Sequence, residues 1–387
     1  MKVIATEKLP IKLWLEDIED GALEQAKHLA NLPFIHKHVA IMPDSHEGYG
    51  MPIGGVLATK GVVIPNAVGV DIGCGMCAVK TDQYQHWIQP EQYKQIMGRI
   101  REEIPVGFSH QETAQQIRDL PDGVEEDYVI ARQYLAAQKQ IGTLGGGNHF
   151  IEIQYDEKGM VWIMVHSGSR NLGKQVADVY NKWAVHLNER WHSQVPKEWQ
   201  LAFLPIEEEV AKRYIIEMQY CVDFALDNRL NMMNKIQDIF AEVLGVVGYG
   251  DIINIAHNYA VWENHFGQNV IVHRKGATRA RTGEIGIIPG SMGTSSYIVE
   301  GLGNAESFTS CSHGAGRRMG RKEATKRLDL STEIGNMDAK GIIHGLRNQS
   351  DLDEAPGAYK DIDEVMENQK DLVKILVKLQ PLAVIKG

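Results

Sequence analysis

Cysteine is scarce in this chain, at four among 387 residues. A small disulfide-stapled scaffold is thereby excluded. The opening Met1 to Thr6, followed at once by polar Glu7 and Lys8, is too short for a signal peptide, so a reducing cytoplasm is the expected location. No apolar run approaches the roughly 20 residues that span a bilayer, and no membrane partner is expected. Positive charge is not in excess either: 40 Lys and Arg against 50 Asp and Glu give a net charge of −10. That balance argues against a protein that coats nucleic acid nonspecifically. It leaves room for a nucleic-acid enzyme with a local basic patch. Basic clusters do occur at Arg274-Lys275, at Arg279 with Arg281, and at Arg317, Arg318 and Arg321. Repeats, low-complexity tracts and obvious linkers are absent.

What is present is an ordinary globular mixture, 43% hydrophobic and 23% charged, with 38 glycines gathered into short motifs. Apolar spacing of three and four predicts a helix from Leu13 to Leu32, closed by Pro33. Short strands are predicted at His38 to Met42, Gly55 to Thr59, Met76 to Lys80 and Val161 to Val165. Helical patterns occupy Pro90 to Glu103 and the region from Glu125 to Lys139. A mainly helical insert runs over about 174–246, with an acidic helix start at Ile206 to Glu209. Strands return from Asp251 to Val299, including Val270 to His273 and Ile285 to Pro289. The tail is predicted as a helix from Asp361 to Leu379 and a last strand, Leu382 to Ile385. Candidate ligands fall in strand-and-turn regions on both sides of the insert. The expected fold is therefore α+β: one domain over 1–387, a central β core wrapped by helices.

The densest chemistry lies in Ser310-Cys311-Ser312-His313-Gly314-Ala315-Gly316-Arg317-Arg318. Small neighbours let a phosphate approach the imidazole, and arginines supply planar donors for its oxygens. His313 then reads as a nucleophile that accepts a phosphoryl or nucleotidyl group. Taken alone, the run is equally a glycine-rich turn with an incidental histidine.

Further candidates lie upstream. Asp71 and Cys74 stand in Val70-Asp71-Ile72-Gly73-Cys74-Gly75, and Asn148 and His149 follow three glycines. His166 opens His166-Ser167-Gly168-Ser169-Arg170, and His257 opens His257-Asn258-Tyr259-Ala260. A mixed oxygen, sulfur and nitrogen set suits manganese or zinc better than calcium or magnesium. Cys74 and Cys77 form a C-x-x-C, but no second close pair completes a structural zinc site. Cys74 is expected as a ligand and Cys77 as a packed strand residue. His28, His86, His186 and His192 are expected at the surface, Met232 and Met233 in the core. His273 could touch phosphate, and Asp44 with His46 has no assigned role.

Together these motifs resemble the RtcB family of RNA-splicing ligases, from Lys12-Leu13-Trp14-Leu15-Glu16 to Lys386-Gly387. The resemblance is carried by Met42 to Gly50, Val68 to Gly75, Gly145 to His149, His166 to Arg170, His257 to Ala260, His273 to Ala277, Pro289 to Thr294 and Ser312 to Arg317. It implies a β-sandwich-like core and an enzyme that uses GTP and two Mn2+ ions. Such an enzyme joins RNA ends carrying a 3′-phosphate or 2′,3′-cyclic phosphate to ends carrying a 5′-hydroxyl, in splicing or repair of tRNA or damaged rRNA. His313 would carry GMP covalently. Cys74 would bridge the ions, with Asp71 and His149 completing one site and His166 and His257 the other. GMP contacts would come from Asn148, Phe150, Glu152, Ser291, Ser296, Ala315, Gly316, Tyr359 and Lys386. Among these, Glu152 would accept from the guanine edge and Tyr359 would stack on the ring. Arg170, Arg317 and Arg321 would hold RNA or phosphate. A release-factor-like protein is a partner that short bacterial members imply. The chain departs from the family pattern at Asn171, where glycine is usual, and at Gly320, where serine is usual; neither removes a ligand or the nucleophile. A two-metal phosphoesterase, or an RNA-binding factor without ligase activity, would share part of this pattern.

Overall fold

A computed structural model describes all residues, 1–387. The chain opens with β1 (Lys2–Ile4) and β2 (Ile11–Leu13), and the first helix, α1, covers Asp20–Ala30. This corrects the helix predicted from Leu13. Ile11 to Leu13 pair in parallel with Val39 to Ile41, and Trp14 N–H continues that ladder to Ile41 O at 3.0 Å. Sheet pairing thus captures the first apolar positions of a helix-like pattern. β3 (Ile35–His46), β4 (Ile53–Thr59), β5 (Val62–Val63) and β6 (Gly75–Tyr84) follow, then α2 (Pro90–Glu103) and α3 (Val129–Gln140). Proline at the first turn and a reciprocal Gln89/Gln92 capping pair fix the start of α2.

β7 (Phe150–Tyr155) and β8 (Met160–Ser167) lead into α4 (Arg170–Arg190), β9 (Leu204–Pro205) and the 36-residue α5 (Glu209–Leu244). The strands β10 (Ile253–Ala256), β11 (Asn258–His265), β12 (Gln268–Lys275), β13 (Ala277–Arg279), β14 (Ile285–Ile288), β15 (Ser296–Gly301) and β16 (Ser310–Ser312) come next. Short helices α6 (Arg321–Arg327), α7 (Leu330–Ala339) and α8 (Ile362–Glu367) precede β17 (Val373–Lys386). The tail is the second correction. Only Ile362–Glu367 is helical there; residues from Val373 onward pair with β15 and then β7. Val373, Ile375 and Val377 are β-branched, and pairing on both sides outweighs the helix-like spacing.

Two large sheets form the α+β core. One has the order β1-β2-β3-β4-β12-β11, the other β10-β6-β8-β7-β17-β15-β14, curled so that its edges β10 and β14 approach each other. Helix α5 packs along the second sheet and buries Phe224, Met232, Met233, Ile236 and Phe240. The chain crosses from one sheet to the other at His257, between β10 and β11. That crossing marks the seam where the candidate residues gather.

Candidate active site

The turn before β6 carries two of the predicted ligands. Cys74 N–H donates to Asp71 O at 3.1 Å, and Gly73 N–H to Asn258 O at 2.8 Å. Gly73 has φ +76°, and a Cβ there would lie 2.8 Å from the Val222 backbone. Only glycine lets the turn sit against α5. Strand register does the rest: His166 on β8 stands between Met76 of β6 and Phe150 of β7. His149 therefore arrives at the same sheet end, and His257 N–H closes the group by donating to Cys74 O at 2.8 Å.

Cys74 Sγ lies 3.3 Å from His166 Nε2 and 3.5 Å from His149 Nε2, and Asp71 Oδ2 is 3.0 Å from His149 Nε2. Two triads result, Asp71-Cys74-His149 and Cys74-His166-His257, each with ligand atoms within 4.8 Å of one another. His149 Nδ1 donates to Leu144 O and His166 Nδ1 to Asn148 O, both at 3.0 Å. Each Nε2 then turns a lone pair toward the cluster, as metal-ligating histidines do. His257 Nδ1 is buried without a partner. Burial, then the charges of neighbouring histidines, hold His166 and His257 well below the usual imidazole range. Burial and the charge of Asp71 push the Cys74 thiol up; a cation there would reverse this and favour thiolate. The donor set, the neutral imidazoles of His166 and His257 and the shared sulfur fit a pair of borderline divalent ions. Cys77 is fully buried in the core around β6, and burial raises its thiol to about 12.

Arg229 and Asn228 of α5 hold these segments together, and neither is marked by any motif in the sequence. The fully buried Arg229 guanidinium donates to Gly73 O at 2.9 Å, Ser167 O at 2.8 Å and Ile255 O at 3.2 Å. Those carbonyls adjoin Cys74, His166 and the approach to His257. Asn228 Oδ1 accepts from Gly142 N–H at 2.7 Å, and its Nδ2 donates to Gly168 O at 3.1 Å.

His313 follows β16, which pairs with β13. Asp44, also unassigned from the sequence, reaches it from β3. One carboxylate oxygen accepts from His313 N–H at 3.0 Å, His313 Nδ1 at 2.6 Å and Gly314 N–H at 3.2 Å. Burial alone would raise this carboxyl; the charge and hydrogen bonds of His313 outweigh it and hold Asp44 below its ordinary value. The signal was a carboxylate continuing an apolar strand. With Nδ1 engaged, Nε2 is the free nitrogen of His313, and its ring meets His257 edge-on at 4.7 Å between centroids. Gly316 has φ +73°, and a Cβ there would strike the Asp44 carbonyl. Its smallness serves this close approach.

His313 and His166 open into a cavity of about 1230 Å³. Asn148, Phe150, Glu152, Ser291, Ala315, Gly316, Tyr359, Lys386, Arg317 and Arg321 line it too. Ser296 does not: its Oγ accepts from Gly290 N–H at 3.1 Å and Gln154 Nε2 at 3.0 Å behind the wall. Glu152 is buried, with Oε2 accepting from Gln154 at 3.0 Å and Oε1 unpartnered; burial pushes it up to about 8. A further residue the sequence did not reveal, Glu354, sits under the arginines. It receives Arg321 Nε at 2.9 Å, Arg317 Nη1 at 3.1 Å and the Tyr359 hydroxyl, with Lys386 Nζ at 3.9 Å.

The three predicted phosphate arginines therefore differ. Arg317 also donates to Asp353 O and Met319 O, and its guanidinium lies 5.2 Å over the Tyr359 ring. Arg170 has φ +59° and donates to Thr143 Oγ1 at 3.1 Å and Gly107 O at 3.3 Å, beside His149. Arg321 is the most open, with its side chain 52% exposed.

Among the other basic candidates, Arg274 and Lys275 are buried, Arg279 is half-buried, and Arg281 and Arg318 are exposed. Arg274 pairs with buried Glu263 at 2.8 Å, Lys275 donates to Tyr49 O and Asn66 O, and Arg279 pairs with Glu284. His273 is fully buried and accepts from Ile64 N–H at 3.0 Å. His86, His186 and His192 are exposed, while His28 stacks on Trp199 at 4.6 Å. Gly320 caps α6 with open space around its Cα, so a serine there would fit and its hydroxyl could cap the first turn.

The family model described as tRNA-splicing ligase RtcB matches residues 25–127 and 118–387. The chain is 37% identical to the RNA-splicing ligase RtcB of Escherichia coli K12 over 414 aligned residues, which cover 100% of this chain and 99% of that protein. It is 32% identical to the tRNA-splicing ligase RtcB of Pyrobaculum aerophilum, covering 98% and 95% of the two chains. For the protein of the same name from Thermococcus kodakarensis the identity is 31%, covering 95% and 92%.

Proposed function

The chain belongs to the RtcB family of splicing ligases, and from that premise we propose that it is a GTP- and manganese-dependent RNA ligase. It joins a 3′-phosphate or 2′,3′-cyclic phosphate end to a 5′-hydroxyl end. The observation that carries the reading is the pairing of buried Asp44 with His313 beside two triads of metal-type ligands. Asp44 fixes the Nδ1–H tautomer, which leaves Nε2 as a nucleophile without a further base. Divalent ions bound by Asp71, Cys74, His149, His166 and His257 would neutralise a triphosphate and orient its α-phosphorus.

In this reading His313 Nε2 attacks the α-phosphorus of GTP and pyrophosphate leaves. The RNA 3′-phosphate then takes GMP from the phosphoramidate, and His313 is restored. The 5′-hydroxyl attacks the RNA 3′-phosphorus, the new phosphodiester forms and GMP leaves. A cyclic phosphate end must first be opened by water. Glu152 is suited to the guanine edge because Oε1 lacks a partner, and its carboxylate form accepts two donors at once. Asn148, Phe150, Ser291, Ala315, Gly316, Tyr359 and Lys386 would complete the nucleotide contacts, with Ser296 acting through Gly290. Arg321, with Arg170 and Arg317 behind it, would hold RNA phosphate.

No helix is long and apolar enough to cross a membrane, and four free, buried cysteines suit a reducing cytoplasm. The test is a joining assay with GTP and manganese. An RNA ending in a 3′-phosphate should join one beginning with a 5′-hydroxyl. Joining of 5′-phosphate to 3′-hydroxyl ends alone would overturn the reading, and release of inorganic phosphate without joining would favour a phosphoesterase.

A further inference from the structure

The glycine loop that delivers His149 is flanked by Arg170, by Arg321 and by a segment around Gly107 to which the reaction above gives no role. A Cβ on Gly145 would collide with the Arg170 guanidinium, and one on Gly147 would come 2.6 Å from Arg321 Nη2. Between them, a Cβ on Gly146 would lie 3.7 Å from Gly107 Cα. Gly107 therefore sits on the rim between two arginines. Its segment is pinned: Leu144 N–H donates to Pro105 O at 2.9 Å, Gly107 N–H to Gly145 O at 2.8 Å, and Arg170 Nη2 to Gly107 O at 3.3 Å.

The next residue, Phe108, is fully exposed, at 102%. A ring held bare in water on an anchored backbone has no folding role, because it buries nothing. Nearby, Val106, Gly147 and Arg101 line a second cavity of about 500 Å³, which shares Lys386 with the main one. The one charged group that perturbs Arg101 is Arg347, of like sign. Asp351, Asp353 and Glu354 line the same cavity, but none forms an ion pair with Arg101.

An exposed aromatic ring with solvent-facing arginines on the same rim is how proteins hold single-stranded nucleic acid: bases stack and phosphates follow the charge. A protein partner fits less well, since one ring is far short of a stable interface. We infer that this rim is a track for single-stranded RNA, on which Phe108 stacks a base while Arg101 and Arg321 hold flanking phosphates beside the metal cluster. The identity of the strand rests on the ligase reading; the track itself rests on Phe108, Arg101 and the pinned loop.

The experiment is equilibrium binding of a labelled single-stranded RNA oligonucleotide, without GTP or metal, followed by fluorescence anisotropy. Phe108→Ala should weaken binding roughly 5- to 100-fold, and Phe108→Trp should restore it. Arg101→Ala should flatten the dependence of log affinity on log salt by about 0.7, one phosphate contact. All three variants should form the His313–GMP adduct as the unaltered protein does. Unchanged RNA affinity in Phe108→Ala would overturn the track, as would a change in oligomeric state in that variant, which would show that a second copy covers the ring. The two readings separate cleanly. Phe108-dependent binding by a protein that joins no ends would sink the ligase reading and leave the track. Normal joining with Phe108-independent binding would do the reverse.

Discussion

The wall of the cavity that carries the two ligand triads, the proposed metal side, and the wall around Glu354, the proposed nucleotide side, differ in how their polar groups are held. On the metal side, two ligand histidines are oriented by backbone carbonyls, and Arg229 ties the segments of Cys74, His166 and His257 to one helix. Almost nothing there can move without breaking several hydrogen bonds. On the other side, Arg317, Arg321, Tyr359 and Lys386 converge on one buried carboxylate, Glu354. Those side chains are cations and a phenol on flexible stems, and a phosphate can compete with Glu354 for them. The contrast separates two tasks. Chemistry needs ligands fixed to within a fraction of an ångström, whereas recognition of a nucleotide and an arriving RNA needs groups that exchange partners.

The comparison can be broken first at its most rigid point. Cys74→Ala removes the atom common to both triads, so it should abolish manganese binding at both sites and reduce guanylylation by more than a hundredfold. Cys77→Ala should leave both within a few-fold, because Cys77 only packs. Metal content by mass spectrometry and adduct yield read the two together; equal losses would return the C-x-x-C to consideration.

Asp44→Asn comes next in size. It keeps the shape but replaces a charge-assisted acceptor, worth about 1.5–3 kcal/mol. Adduct formation should slow roughly 10- to 100-fold with metal content unchanged. Loss of metal along with rate would place Asp44 on the wrong side of the comparison.

Glu152 sharpens the contrast through pH. Burial raises its carboxyl from 4.5 to about 8 in the folded protein. The folded state thus keeps a proton that the unfolded state loses near its ordinary value, and stability falls as pH rises. Relative to Glu152→Gln, the unaltered protein should lose thermal stability progressively from about pH 4.5 to about 8 and level off above. GTP binding should release a proton near neutrality, because the guanine edge offers donors to the carboxylate. Calorimetry in buffers of different ionisation enthalpy reads that proton. Glu152→Ala should weaken adduct formation and relax the preference for GTP over ATP.

The smallest effect is expected at Arg321, whose charge is shared with Glu354 and half exposed. Arg321→Ala should slow joining of RNA ends about tenfold and leave the His313–GMP adduct intact. Equal slowing of both steps would show that Arg321 serves GTP instead.

The sequence was most legible where glycine punctuates strand ends. Val68 to Gly75, Gly145 to His149 and Ser312 to Arg317 announce positions where backbone and side chains must crowd, and the structure gathers their chemistry at one seam. It was least legible where a role depends on a partner far along the chain. Asp44 meets His313 across 269 positions, and Arg229 reaches from a helix interior to three separate turns. Asp44 is marked locally only as a carboxylate continuing an apolar strand, and nothing local marks Arg229. Lys275 and Arg274 misled for the same reason: side chains that look like a basic patch are spent on Tyr49, Asn66 and Glu263. The tail misled differently, since Val373 to Leu379 satisfies both periods and only its neighbours β15 and β7 select the strand.

The central claim is that His313 is the nucleophile that Asp44 and the metal ligands serve. Intact-mass measurement after incubation with GTP and manganese tests it most directly. The unaltered protein should gain one GMP, lost in acid and kept in base as a phosphoramidate, and His313→Ala should gain none. An adduct that persists in His313→Ala would contradict it.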